Sequence, residues 1–443
     1  MRKRCISLAV AIMMLLTMLS GMTLATAAEQ GAGQEGTSEL MGEVYKTFNF
    51  KSAEVDGAIN VKNTDMYDAS KGYGFVKTNS AMPARTVDPS KIKQDENGCS
   101  ITETDATTTY SNVNHYNYGG LIFRVDVDAL GGYSLDVNTT ADTNSGTAYI
   151  APNGMQASRL TGGGSWDSAG LVNKTGMAVW DNNNWKYDYV TGVPYIELEI
   201  EPNKRPTSAG TTVGIESFTL TKFGNNVRTA DEKPTVFVLG DSTQKTYTFE
   251  EDSMSGWGQT INRMFDLEKV NVINYSMGGR SVKANYDEGR FNDVLYVAKE
   301  GDFVLFHSAH NDESTGADKG PEARFGRGSN STTYPKWLDI YCAAMEERGV
   351  TPILVSGMPR TSNGVASVSS EKPRGFNPNS PQFMEDKAKA DNKVEFVDLF
   401  AKAKAYFEKI GSAETMDIYQ SLEAGESPGK TNSGSYRSEE RRV

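Results

Sequence analysis

From residue 233 onward five short apolar runs recur: "TVFVLG", "VNVINYS", "DFVLFHS", "TPILVSG" and "VEFVDLF". Between them lie "GWGQTINRMFD", "GRFNDVLYVAKE", "PKWLDIYCAAMEERG" and "SPQFMEDKAKADN", which read as helices. In the third of these, Trp337, Ile340, Tyr341 and Met345 fall on one face at helical spacing. A strand with no polar face must be covered on both sides, and helices alternating with such strands supply the cover. Residues 233–430 are therefore expected to form an α/β domain around a parallel sheet.

The chain before that point has a different grammar. In "LIFRVDVD", Leu121, Phe123, Val125 and Val127 alternate with Ile122, Arg124, Asp126 and Asp128; in "YIELEIE", Ile196, Leu198 and Ile200 alternate with Glu197, Glu199 and Glu201. Period two predicts strands with one face in a core and the other, glutamates included, in water. Connections such as "GYGF", "NTNSGT" and "TGGGSWDSAG" carry turn residues, so residues 44–224 are expected to be an all-β sandwich. Trp166, Trp180 and Trp185 lie beside these connections, either as platforms for sugar rings or as core residues. "GNNVRTADEKP", residues 224–234, reads as a hinge between the halves, and no internal repeat is present.

At the N-terminus, Arg2, Lys3 and Arg4 precede an apolar stretch from Ile6 to Leu19 and the small residues Ala25-Thr26-Ala27. That is the pattern of a removed secretory signal over residues 1–27, followed by a linker at 28–43, and the mature protein is expected to be exported. Roughly 415 residues remain, enough for two or three domains. The formal charge of −12 becomes about −15 without the three basic signal residues, which argues against general nucleic-acid binding and against an anionic membrane surface. Of three cysteines, Cys5 leaves with the signal; Cys99 and Cys342 form neither a disulfide framework nor a metal-ligand spacing, and read as buried small residues. No cofactor or metal is implied, and no feature specifies an oligomeric state.

In open α/β sheets, reacting groups gather beyond the carboxyl ends of the strands. Here those ends carry Gly240-Asp241-Ser242-Thr243, then "NYSMGGRS" with Gly278-Gly279 before Arg280, then "HSAHND" with His310-Asn311-Asp312, then "SGMPR". A hydroxyl, a glycine turn and an asparagine amide on successive strands suit acyl transfer. Serine attack on an ester makes an oxyanion, which the N–H of Ser242, the N–H of Gly279 and the amide of Asn311 would hold. Taken singly, Gly-Asp-Ser-Thr also fits a helix cap and Asn-Asp a turn.

With these residues, 233 to about 430 resembles the SGNH (GDSL-type) hydrolases, in their rhamnogalacturonan acetylesterase branch. The matching blocks are "VFVLGDST", "GWGQ", "NYSMGGRSVKANYDEGRF" and "GDFVLFHSAHNDE". The resemblance implies a three-layer α/β/α fold, Ser242 as nucleophile, and Gly279 and Asn311 in the oxyanion hole, with Asp241, Gly278 and His310 in support. It also implies deacetylation of a plant cell-wall polysaccharide such as rhamnogalacturonan. The β-rich half resembles the galactose-binding-like modules that often precede such domains. Since a pectic chain is anionic, Arg280 and Arg290, inside the family blocks, are candidate substrate-binding cations. Lys283, Arg324, Arg327 and Arg360 also fall on that side of the sheet, as ligands or as ordinary surface charge.

The chain departs from the family pattern twice. Ala309 stands where the family usually has glycine. The family's Asp-x-x-His near the C-terminus has no counterpart: the three histidines are His115, His307 and His310, and the chain ends "NSGSYRSEERRV". Residues 431–443 are therefore expected to be an atypical, truncated or disordered tail. The alternatives are a truncated or frameshifted gene, a substitute base such as His310, or a non-catalytic polysaccharide-binding protein on a degenerate esterase fold. His310 reads better as a residue orienting the Asn311 loop, and His307 as a satisfied core residue. A lipase or thioesterase on the same fold is disfavoured, because no apolar lid or acyl-chain groove is evident.

Overall fold

The alternating segments of the first half become short strands wherever turn residues release them. In chain order these are β1 (Val44–Asn49), β2 (Ile59–Asn60), β3 (Tyr73–Phe75), β4 (Lys93–Asp95), β5 (Gly98–Thr102) and β6 (Leu121–Asp126). They continue as β7 (Gly131–Thr139), β8 (Ala148–Pro152), β9 (Val179–Asp181), β10 (Asn184–Thr191), β11 (Tyr195–Pro202) and β12 (Thr212–Phe223). This computed structural model describes residues 42–80, 86–102, 120–127, 131–144, 147–155, 179–202, 210–247, 256–309, 311–312, 333–359, 361–362, 365–368 and 380–418. The signal, nearly all of the linker, the tail, His115, His310, Trp166, Arg324, Arg327, Arg360 and the Trp180 side chain lie outside the described residues.

An eight-stranded sheet runs β2-β1-β12-β7-β10-β9 with β4 and β5 branching from β12, and a four-stranded antiparallel sheet runs β3-β6-β11-β8. The two meet through aromatic rings. Phe123 of the smaller sheet lies edge-on to Phe48, 5.1 Å away, and to Phe50, 4.8 Å away. Each such pair contributes about 0.5–1.5 kcal/mol beyond the area it buries. Trp185 is 0% exposed, so of its two readings the core one holds. Cys99 and Cys342 are buried too, and burial pushes both thiols up to about 12.

The outer face of β11 corrects the expectation of a solvated row. Glu197, Glu199 and Glu201 are at most 1% exposed. Buried carboxylates persist only when they are bonded. Glu197 accepts from the N–H and the hydroxyl of Ser80 at 2.7 and 2.6 Å and lies 3.5 Å from Arg124, while Glu199 accepts from Asn79 at 3.2 Å. Arg124 is itself stacked on the rings of Tyr67 and Tyr195, 4.5 and 4.1 Å from their centroids. Burial pushes the Glu197 carboxyl up, and the Ser80 bonds oppose it. Period two located the strand correctly; the loop that covers its second face has no periodicity to read.

The five apolar runs of the second half become β13 (Thr235–Leu239), β14 (Asn271–Asn274), β15 (Phe303–Phe306), β16 (Thr351–Val355) and, after a ribbon of β17 (Thr361–Ser362) and β18 (Val365–Val368), β19 (Glu395–Val397). All four ladders are parallel, in the order β14-β13-β15-β16-β19. The helices are α1 (Val282–Asp287), α2 (Arg290–Val297), α3 (Thr333–Glu347), α4 (Ser380–Ala390) and α5 (Leu399–Ile418), the last kinked at Gly411. Trp337, Ile340, Tyr341 and Met345 of α3 are all buried, as their spacing predicts.

"GWGQTINRMFD" is not the expected helix but two 3₁₀ turns, Trp257–Gln259 and Ile261–Met264. The cause is contact with the residues after β13. The Trp257 N–H donates to Thr243 O at 2.8 Å, and a Cβ on Gly258 would stand 2.3 Å from Gln244 O. A regular helix there would break this close approach.

The halves share one buried core. Tyr189 and Tyr286 join hydroxyls at 2.8 Å; Asn292 accepts from Val190 N–H and donates to Asp188 O, both at 2.8 Å. Gly192 sits so close to α3 that a Cβ would lie 2.2 Å from Ile340 O. The segment expected to be a hinge is pinned instead. Asn226 donates to Tyr296 O at 2.7 Å, Asn225 to Glu347 O at 2.8 Å, and Arg348 to Gly224 O at 2.9 Å.

Candidate active site

The strand order starts from the middle of the sheet: β13 has β14 on one side and β15 on the other. Such a switch point opens a crevice beyond the carboxyl ends, and Ser242 follows β13 into it. The turn is held by its own polar residues. The N–H groups of Gln244 and Lys245 donate to Asp241 O at 3.2 and 3.1 Å. The Asp241 carboxylate accepts from Thr243 N–H at 2.8 Å and Thr243 Oγ1 at 2.7 Å, and Gln244 Oε1 accepts from Asp241 N–H at 2.7 Å. Asp241, Thr243 and Gln244 are buried by these bonds, while Ser242 stays half-buried at the tip.

After β14, Gly278 comes against the serine: a Cβ there would sit 3.7 Å from Ser242 Cβ. Gly279 has φ +81°, a conformation that costs a residue with a side chain roughly 1–2 kcal/mol. From the end of β15, the Asn311 amide donates to Arg280 O at 3.1 Å and to Asp241 Oδ2 at 3.4 Å. Next to it, both oxygens of Asp312 accept from Val282 N–H at 3.2 Å, and Ser281 caps α1 through Ala284 N–H at 3.1 Å. Ser242, Asp241, Gly278, Gly279 and Asn311 are thus brought together from three adjacent strands.

Ala309 is accommodated rather than disruptive. A Cβ at Gly357 would lie 2.7 Å from the Ala309 methyl, so the glycine at the end of β16 leaves the room that methyl uses. His307 is the one histidine among the described residues. It is buried, with Nε2 3.2 Å from Thr243 Oγ1 and its ring edge-on to Trp257 at 6.2 Å, as a core residue would be.

The sequence offers Arg280 and Arg290 to a substrate carboxylate; the structure sets both on the protein's own Glu288, at 2.8 and 2.9 Å. Lys283 is likewise buried on Asp287. Burial pushes the Asp287 carboxyl up to about 7 in spite of that lysine. Sequence reasoning missed Glu288, whose only signal is its place between two arginines. It also missed Lys245, which holds its ammonium 4.7 Å over the ring of Tyr247, the residue that bonds Ser242 O at 3.0 Å. Among the described residues no group of His, Cys, Asp and Glu could hold a metal ion.

A serine at a switch point, with a glycine peptide and an asparagine amide set around it, is the arrangement of an α/β hydrolase domain. The chain belongs to the SGNH (GDSL-type) hydrolases, among relatives named for rhamnogalacturonan acetylesterase. The probable rhamnogalacturonan acetylesterase YesY of Bacillus subtilis is 30% identical over 189 residues, covering 42% of this chain and 78% of YesY. The uncharacterized esterase YxiM of the same organism is 24% identical over 415 residues, covering 93% of this chain and 90% of YxiM. The crystal structure of YxiM aligns with 85% of this chain and 91% of its own at 20% identity and a TM-score of 0.35. No family model matches the chain.

Proposed function

We propose that the protein is an exported carbohydrate esterase that removes acetyl groups from an acetylated pectic polysaccharide of the rhamnogalacturonan type. The observation that carries this reading is the convergence of Ser242, the Gly278-Gly279 peptide and the Asn311 amide from three adjacent strand ends. Ser242 Oγ bonds to the acetyl carbon, and the carbonyl electron pair moves onto oxygen. The N–H groups of Ser242 and Gly279 hold that charge, joined by the Asn311 amide when it exchanges its long, 3.4 Å bond to Asp241 for one to the oxyanion. Collapse expels the sugar oxygen, which takes up a proton, and water then releases acetate from the serine. The base that receives the Oγ proton is not assigned to a described residue. Relatives named as acetylesterases support the acetyl group and the pectic substrate. The first half is read as a galactose-binding-like β-sandwich on the strength of its two facing sheets.

The test is acetate release from acetylated rhamnogalacturonan, with Ser242→Ala beside the wild type. Release by the wild type that disappears in the variant is expected. Equal background rates in both would overturn the reading.

A further inference from the structure

Both oxyanion donors attributed to the loops around Ser242 are tied to one residue. The Arg280 side chain donates from Nη1 to Gly278 O at 2.8 Å, and the Arg280 carbonyl accepts from Asn311 Nδ2 at 3.1 Å. A peptide unit is planar and trans, so Gly278 C=O and Gly279 N–H point in opposite directions in one plane. Fixing the carbonyl therefore fixes the N–H. The restraint is needed here, because a peptide between two glycines has more accessible orientations than any other. A charged donor on the carbonyl also polarises the peptide and strengthens its N–H as a donor.

Arg280 is held in turn. Its Nε donates to Glu288 Oε2 at 2.8 Å, and Arg290 Nε donates to the same oxygen at 2.9 Å. Both arginines are buried, at 5% and 6% exposure, so neither guanidinium offers an open face to a polymer. We propose that Arg280, anchored by Glu288, is a positioning residue that aims the Gly279 N–H and the Asn311 amide at the oxyanion, rather than a cation that binds the anionic substrate. The assignment rests on the acyl-transfer reading above.

The experiment compares wild type, Arg280→Met, Arg280→Lys and Glu288→Gln on neutral p-nitrophenyl acetate and on acetylated rhamnogalacturonan. Losing a whole oxyanion donor costs about 10²–10³ in kcat, so misaiming one is expected to lower kcat by roughly 10- to 100-fold. Arg280→Met should show that loss on both substrates with KM within twofold. Arg280→Lys should not rescue it, since one ammonium cannot span Gly278 O and Glu288. Glu288→Gln, which keeps the shape of the side chain, should fall between. A rise in KM confined to the anionic polymer, with kcat on the neutral ester unchanged, would overturn the proposal in favour of substrate binding. Hydrogen exchange of the Gly279 amide supplies a readout independent of turnover. Faster exchange there in Arg280→Met and Glu288→Gln, with β16 unchanged, is expected; unchanged Gly279 exchange overturns the positioning role. If wild type and Ser242→Ala release acetate alike, the acyl-transfer reading fails instead, and the exchange rates still decide the geometric claim.

Discussion

Replacing Asp293 by asparagine should flatten the protein's loss of stability between weakly acidic and neutral pH. Asp293 lies in the first turn of α2 and is 4% exposed. Burial pushes its carboxyl up from 3.8 to about 7, against the pull of Arg290. Its place at a helix N-terminus favours the anion by about 0.3–1 kcal/mol, which is too little to offset that burial. Between pH 3.8 and about 7 the folded protein keeps this proton while the unfolded chain releases it. The folded state then binds more protons, so stability falls as pH rises through that window and levels off above it. A rise of roughly three pKa units corresponds to about 4 kcal/mol at most, at 1.36 kcal/mol per unit; relaxation around the charge would bring it nearer 2 kcal/mol. Urea unfolding of wild type and Asp293→Asn, measured from pH 4.5 to 8, reads the difference directly. The two should lie close together at the acid end and diverge toward pH 8, with the variant about 2 kcal/mol the more stable. Asp287, also pushed up to about 7, leaves a residual slope in both proteins. Parallel curves would refute the reasoning, because the carboxyl would then titrate as it does in the unfolded chain.

Gly357→Ala should destabilise by about 1–3 kcal/mol, since its methyl would meet that of Ala309 at 2.7 Å, and adding Ala309→Gly should restore most of the loss. A double-mutant cycle on thermal unfolding gives the coupling, and additive effects would show that the contact is not what matters. Asn292→Ala removes a partner from the buried Val190 N–H, at a cost of about 1–3 kcal/mol, and should lower a single melting transition for both halves. A separate transition for the N-terminal half, with the hydrolase half unaffected, would contradict the shared core.

The parallel half was legible because its central strands β13, β15 and β16 are buried on both faces, so apolar runs such as Val236–Leu239 stand out against amphipathic helices. That Ser242, Gly279 and Asn311 would lie close together was legible for a topological reason: successive strands deliver their ends to one side of the sheet, whatever lies between them. Periodicity fails where partners are remote in sequence. It could not foresee that Ser80 and Asn79 would cover Glu197 and Glu199, or that Glu288 would claim two arginines that seemed available to a substrate. Nor could it foresee that Gly256 and Gly258 would be pressed against Gln244 and Lys245 in the turn after β13, which replaces a helix with two short turns. His310, the histidine nearest to Asn311 in sequence, lies outside the described residues.

The contact between β10 and the helices that follow the glycine loop bears on how such a protein meets a polymer. A module on a slack tether raises local concentration but leaves the substrate free to turn. Here Tyr189, Asn292 and Gly192 weld the first half to α1, α2 and α3, and the connecting segment is bonded down along its length. Any sugar chain held on the N-terminal sheets would therefore reach Ser242 at one distance and one angle. The first half would then act as a ruler, selecting which residue along the chain is presented, and lengthening residues 224–234 would not change its setting.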